Sequence, residues 1–227
     1  KSKGSLKVED LRQSIKKSFF PWHSTSIVLK SFDRYLKRVA GYFPDDKLFY
    51  LAQFLHDQII YDRGKNIDEF TQLAGKISTT NATKDVKFLA LSQLARTYFV
   101  KDEVFCAHQM ISPIKENRDR TAYGDLGKSF KVQRINRPHF DVGPFAIEFD
   151  LSPKYWMLWT MRQFRALRFV LPSWHKKEKI INKQIRDEIK AMLESGSLNE
   201  IRLNKFRMVK GYREVRYTRA KTHEVLS

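Results

Sequence analysis

The chain has 227 residues, 42% of them hydrophobic and 13% aromatic, which is long and apolar enough to bury a core without cross-links and excludes an unstructured polypeptide. Its single cysteine, Cys106, excludes an internal disulfide and cannot by itself hold a zinc ion or an iron–sulfur cluster, and it fits a reducing compartment. The net charge is +18, and residues 154–227 hold 18 Lys and Arg against 7 Asp and Glu, so +11 of it lies in the last third. A field of that sign attracts nucleic acid, anionic lipid, acidic proteins or cofactor phosphates without choosing among them.

Residues 1–26 read as an N-terminal docking tail, with a short helix from Val8 to Lys17 and Phe19-Phe20-Pro21-Trp22 as an aromatic latch. Residues 27–227 read as one mainly α domain, helical over 27–111 and 153–210, with a small two-stranded extended element around 130–150 and a basic C-terminal segment at 211–227. From Ile27 to Ala40, Val28, Leu29, Phe32, Tyr35, Leu36 and Val39 recur at helical spacing, and Gly41 stands where a terminating glycine belongs. Asp45 or Asp46 is placed to cap a second helix through Tyr61, which Gly64 ends. Asn66 followed by Glu69 opens a third helix as a capping box, with Gly75 as its stop. After the polar loop STTNATK, the longest helical pattern runs from Asp85 to Ile111, where Ser112-Pro113 ends it. Residues 115–129 read as a charged loop. Between Phe130 and Asp150 the period changes to two, with Phe145, Ile147 and Phe149 on one face.

The rest of the chain is organised around 155–212. YWMLWTMRQFRALRFVL is apolar almost all round apart from Arg162, Arg165 and Arg168, which predicts one buried helix. It is no membrane span, because three arginines near its middle would each cost roughly 2.5–3.5 kcal/mol on insertion scales. After Leu171-Pro172-Ser173-Trp174, a helix from His175 to Ser195 carries Ile180, Ile181, Ile185, Ile189, Met192 and Leu193 as a covering stripe. A third, short helix stops at Val209-Lys210-Gly211-Tyr212.

No catalytic or metal-binding constellation stands out. No two of the six histidines sit three or four apart, and the phosphate-loop, nucleophile-elbow, dinucleotide and zinc-protease motifs are absent. Tyr123-Gly124-Asp125-Leu126-Gly127-Lys128-Ser129 lacks the leading glycine of a phosphate loop. Lys101-Asp102-Glu103, placed within the long helix one turn before His108, reads as a solvated charge cluster. What remains is electrostatic: Arg207, Lys210, Arg213, Arg216, Arg219 and Lys221 gather around Gly211, with Tyr212 and Tyr217 between them. The residues singled out for binding an anion or a partner are therefore Arg162, Arg165, Arg168, Arg207, Lys210, Tyr212, Arg213 and Arg216.

In order, the blocks FDRYLKRVAGYFP, IIYDRGKNIDEFTQLAGKI, LARTYFVKDEVFCAHQM, MRQFRALRFVLPSWHKKEKIINKQI and FRMVKGYREV resemble the C-terminal region of indolepyruvate oxidoreductase, in its long beta-subunit or fused form. They span about residues 31–215. Arg213 departs from the glycine that follows the tyrosine of the family's closing motif. The resemblance implies a non-catalytic accessory domain in an assembly that oxidatively decarboxylates aryl 2-oxoacids. It places thiamine diphosphate and iron–sulfur clusters in partner subunits and no cofactor on this chain, and it makes other subunits the expected partners; from charge alone, the basic surface suits docking of an acidic ferredoxin or of the phosphates of coenzyme A. The resemblance also implies a cytoplasmic location. The alternative from charge is a basic structural subunit of a mitochondrial or other organellar complex or a ribonucleoprotein, contacting RNA. A weaker one is a peripheral subunit of a membrane-associated complex using 155–171.

Overall fold

A computed structural model describes residues 7–19, 25–123, 139–142, 145–148, 152–170, 174–211 and 214–225. The chain is mainly helical: α1 (Val8–Ser18), α2 (Thr25–Ala40), α3 (Leu48–Asp62), α4 (Ile67–Thr79), α5 (Lys84–Arg96), α6 (Glu103–Met110), α7 (Pro113–Tyr123), α8 (Tyr155–Met161), α9 (Leu167–Val170), α10 (Lys176–Glu194), α11 (Glu200–Met208) and α12 (Glu214–Thr222). Between α7 and α8 the backbone of β1 (His139–Val142) pairs antiparallel with β2 (Phe145–Glu148), Val142 lying opposite Phe145. Among the described residues no helix is long and apolar enough to cross a membrane.

One apolar core joins most of these helices. Phe32 of α2, Leu51 and Leu55 of α3, Phe70 and Ile77 of α4, Leu91 and Leu94 of α5 and Phe206 of α11 are fully buried in it. Residues i, i+3, i+4 and i+7 of a helix share a face, and these stripes meet as α2 packs on α3, α4 on α5, and α10 and α11 on α5. A separate small cluster, Ala107 and Ile111 around Leu158, seats α8 on α6. The short N-terminal helix forms where expected and packs on α3 and α7, with Leu11 and Ile15 fully buried. Glu9 and Asp10 in its first turn and Lys16 and Lys17 in its last complement the helix dipole. Phe19 is buried, and the rest of the aromatic latch lies outside the described residues.

Several boundaries differ from the sequence expectation, each for a local reason. Gly75 is inside α4, which continues to Thr79; an added Cβ would meet the Tyr42 ring at 3.4 Å, an ordinary contact distance, and the glycine does not stop the helix. Asn66 precedes α4 without a side-chain cap, and neither Asp45 nor Asp46 caps α3, which follows a 3-10 turn at Asp45–Lys47. α3 does end at Gly64: Arg63 and Gly64 take positive φ (65° and 74°), and the Asp62 carboxylate accepts from the amides of Gly64 and Lys65.

The long helix expected over Asp85–Ile111 breaks at Thr97. It restarts where the Asp102 carboxylate accepts the Phe105 amide (2.7 Å), so Asp102 is an N-cap and not a mid-helix residue. Pro113, expected to end a helix, also begins one. Its missing N–H suits a first helical position, and the Ser112 hydroxyl accepts from Lys115 N, so α7 takes in residues 115–123 of the expected loop. In the basic C-terminal segment, Glu214–Thr222 forms α12.

The largest correction concerns 155–171. The single buried helix is absent: α8 ends at Met161, a 3-10 turn spans Phe164–Ala166, and α9 holds only Leu167–Val170. Trp156 is 63% exposed and Val170 72%, whereas Arg162 is 6% exposed. The polar side of this segment faces the protein and much of its apolar side faces solvent.

Candidate anion and partner sites

The inward arginines meet the carbonyl end of α1. The last C=O groups of a helix have no partner within it and carry partial negative charge, which attracts a cation. Arg162 Nη2 donates to the Lys17 carbonyl (2.6 Å) and Arg165 Nη2 to the Ser18 carbonyl (3.1 Å). Arg168 instead makes a bidentate pair with Asp102, Nε to Oδ2 at 2.5 Å and Nη2 to Oδ1 at 2.8 Å, and also donates to the Tyr61 carbonyl. Each guanidinium lies over a ring: Arg162 over Trp159, Arg165 over Phe19 and Arg168 over Tyr61. Burial, with Arg168, Arg162 and Arg63 nearby, pushes Arg165 down to about 9.

Asp102 and Glu103 are thus buried and paired, not solvated. Asp102 caps α6 and holds Arg168, while Glu103 lies 2.9 Å from His175 Nε2. Beside them runs a polar seam beneath α1. His56 Nε2 lies 2.9 Å from Ser14 Oγ and its Nδ1 2.9 Å from Asp57, which Gln109 also contacts. His108 Nδ1 lies 3.3 Å from Ser18 Oγ, and the two imidazoles are 6.0 Å apart. Burial, with His56, Arg165, Arg162 and Arg168 nearby, holds His108 well below the usual histidine range. Ser14, His56 and Asp57 form a hydroxyl–imidazole–carboxylate chain, but the Ser14 hydroxyl is sealed under α1 and cannot meet a substrate there.

The remaining predicted residues divide. Arg216 is half-buried and bonds Glu178 and Asn182, tying α12 to α10. Arg207 and Lys210 are exposed, and Tyr212 and Arg213 lie outside the described residues. Arg202, absent from the sequence reading, forks onto Glu188 and onto the carbonyls of His223 and Glu224 at the end of α12. The trio at 162–168 and the cluster around Gly211 are therefore two separate sets of contacts. A cleft of about 150 Å³ between α3, α5 and α10 is lined by Asp62, Asn66, Tyr98, Lys179, Asn182 and Arg186. Its charges are mixed, and Asp62 is already engaged by two backbone amides.

Neither Asp102 nor the carbonyls of α1 had a signal in local spacing. They lie 66, 145 and 147 positions from the arginines they hold. The one available hint was the aspartate before an apolar run, which marks a helix start.

Among the described residues no three His, Cys, Asp or Glu side chains gather as metal ligands. The outer surface of 155–170 is aromatic: Tyr155 and Phe164 are half-exposed beside Trp156 and Val170. Compared with known protein families, curated proteins and solved structures, the chain matches none.

Proposed function

We propose that this chain is a non-catalytic accessory module of a larger multi-subunit assembly and docks a partner subunit through the outer face of 155–170. The observation that carries the reading is that four large apolar side chains, Tyr155, Trp156, Phe164 and Val170, are exposed on one segment whose polar side is pinned to the protein by three arginines. Aromatic anchors presented on a held backbone are what a protein interface uses, since little freedom is lost on binding. Within that reading, an indolepyruvate-type 2-oxoacid:ferredoxin oxidoreductase is the favoured assembly. Two blocks that carry the resemblance, LARTYFVKDEVFCAHQM and MRQFRALRFVLPSWHKKEKIINKQI, are joined by the buried Asp102–Arg168 pair, which supports their working as one unit. Thiamine diphosphate and iron–sulfur clusters then belong to the partner subunits.

Isolation of the native complex tests this. Stoichiometric subunits carrying thiamine diphosphate and iron–sulfur absorbance are expected, and Trp156→Ala with Phe164→Ala should release the chain from them. Ribosomal partners or a co-purifying nucleic acid would overturn the oxidoreductase assignment. The second reading, RNA contact through the C-terminal basic surface, is favoured by the exposure of Arg207 and Lys210. It predicts affinity that falls steeply with salt, which an aromatic interface would not show.

A further inference from the structure

The charges under α1 do not balance. Three guanidinium groups, of Arg162, Arg165 and Arg168, converge on the C-terminal turn of α1 and on Asp102, and among the described residues only Arg168 has a carboxylate. The other carboxylate of the seam, Asp57, is engaged by His56 and Gln109. Arg162 and Arg165 face helix-end carbonyls, whose partial negative charge is less than the full counter-charge a carboxylate supplies to a buried cation. Two atoms beside this turn are also buried without a hydrogen-bond partner: Arg162 Nε and His108 Nε2. His108 is 2% exposed and Arg162 6%. Ser18 connects the groups, since its carbonyl accepts from Arg165 and its hydroxyl meets His108 Nδ1.

The proton positions follow from the network. The Ser18 hydroxyl donates to the Ser14 carbonyl, so it accepts from His108 Nδ1–H. Neutral His108 then presents a bare lone pair at Nε2, while Arg162 presents an N–H at Nε. An anion that carries its own hydroxyl satisfies both, accepting from the guanidinium and donating to the imidazole.

We propose that Arg162, Arg165 and His108 form a binding site for a small hydroxyl-bearing oxyanion of the inorganic phosphate type at the C-terminal end of α1. The ion supplies the negative charge the arginines lack and locks α1 to the 155–170 segment. Burial restricts the site to a free ion, because a phosphate on a lipid or a polymer brings a chain that cannot follow it in. This site is independent of the partner face on the opposite side of 155–170.

The test uses the whole chain with inorganic phosphate as probe, against chloride at matched ionic strength and pH 7.5. Phosphate at a hundredfold excess over its dissociation constant should raise Tm by about 5–10 °C, and isothermal titration should show one site. Arg162→Lys keeps a cation for the Lys17 carbonyl but removes the Nε donor, and should weaken phosphate roughly tenfold or more. Arg207→Gln with Lys210→Gln, at the exposed basic surface, should leave the affinity unchanged. Stabilisation by phosphate no greater than by chloride would overturn the site. So would binding abolished by the surface pair and retained in Arg162→Lys, or stabilisation by phosphatidic acid vesicles without any by free phosphate. Because the first comparison is made on the unmodified chain, it decides even where a variant fails to fold.

Discussion

α3 and the 155–170 segment are both rich in aromatic and aliphatic residues, yet they bury opposite parts of themselves. In α3 the aliphatic stripe Leu51, Leu55 and Ile59 goes inside. In 155–170 the guanidinium groups go inside and Trp156, Phe164 and Val170 stay out. Hydrophobic burial is non-directional and needs only area, whereas an arginine goes inward only where fixed oxygens await it. The end of α1 and Asp102 provide those oxygens. An apolar sequence therefore does not guarantee a buried one: what sits opposite decides.

The comparison breaks most visibly at Asp102. Asp102→Ala leaves Arg168 buried without its partner and uncaps α6, so urea denaturation should show a loss of about 3–5 kcal/mol. A loss below about 1 kcal/mol would mean that Leu158 and the contacts of Arg162 and Arg165 with α1 seat the segment without this pair. In the apolar region, Leu55→Ala should lose about 2–5 kcal/mol through the cavity it leaves.

The polar seam should also respond to pH, as an apolar core does not. His108 is held below its ordinary value in the folded chain, so it stays neutral there while the unfolded chain takes up a proton below about pH 6.5. The unfolded state then binds more protons, and His108's contribution to stability, complete above pH 6.5, falls by up to about 1.4 kcal/mol per pH unit toward the folded pKa. Urea midpoints at pH 7.5, 6.5 and 5.5 in phosphate-free buffer measure the slope, and His108→Gln should flatten it. Addition of phosphate at pH 5.5 should restore part of the loss.

Two smaller effects sharpen the contrast. Gly75→Ala meets Tyr42 at ordinary contact distance inside a helix and should stabilise by about 0.5–1 kcal/mol in thermal melts; destabilisation would show that Tyr42 cannot give way. Trp156→Ala should change the stability of the isolated chain by no more than about 0.5 kcal/mol, because the ring is largely exposed. The same substitution should weaken the partner complex by about 2 kcal/mol or more if Trp156 is an anchor, as a binding titration would record. A large stability loss in the isolated chain would place the ring in the fold and remove the basis of the docking face.

Local pattern reached the helical class and most helices of the first half, because amphipathic spacing and punctuation by Gly64 and Pro113 act within a few residues. It misjudged glycine at Gly75 and merged α5 with α6, since a glycine within a helix and one that ends it look alike in sequence and a cap is one aspartate in an apolar run. Of the residues marked for binding, the three arginines at 162–168 came forward for their spacing, but their surroundings did not. Arg207 and Lys210 stayed exposed as a basic face requires, and Arg216 was taken into the α10–α12 contact.

By itself the sequence determined a helical, strongly basic chain with a large apolar inventory, because propensity, periodicity and charge are local or additive quantities. Only the tertiary structure decided which side of 155–170 turns inward, that Asp102 and Glu103 are buried partners of Arg168 and His175, and that His108 and Arg162 each keep a buried nitrogen without a hydrogen-bond partner. The Asp102–Arg168 and Glu103–His175 pairs join groups more than sixty residues apart in the chain. Their energies come from desolvation and hydrogen-bond geometry, which exist only once the elements have packed.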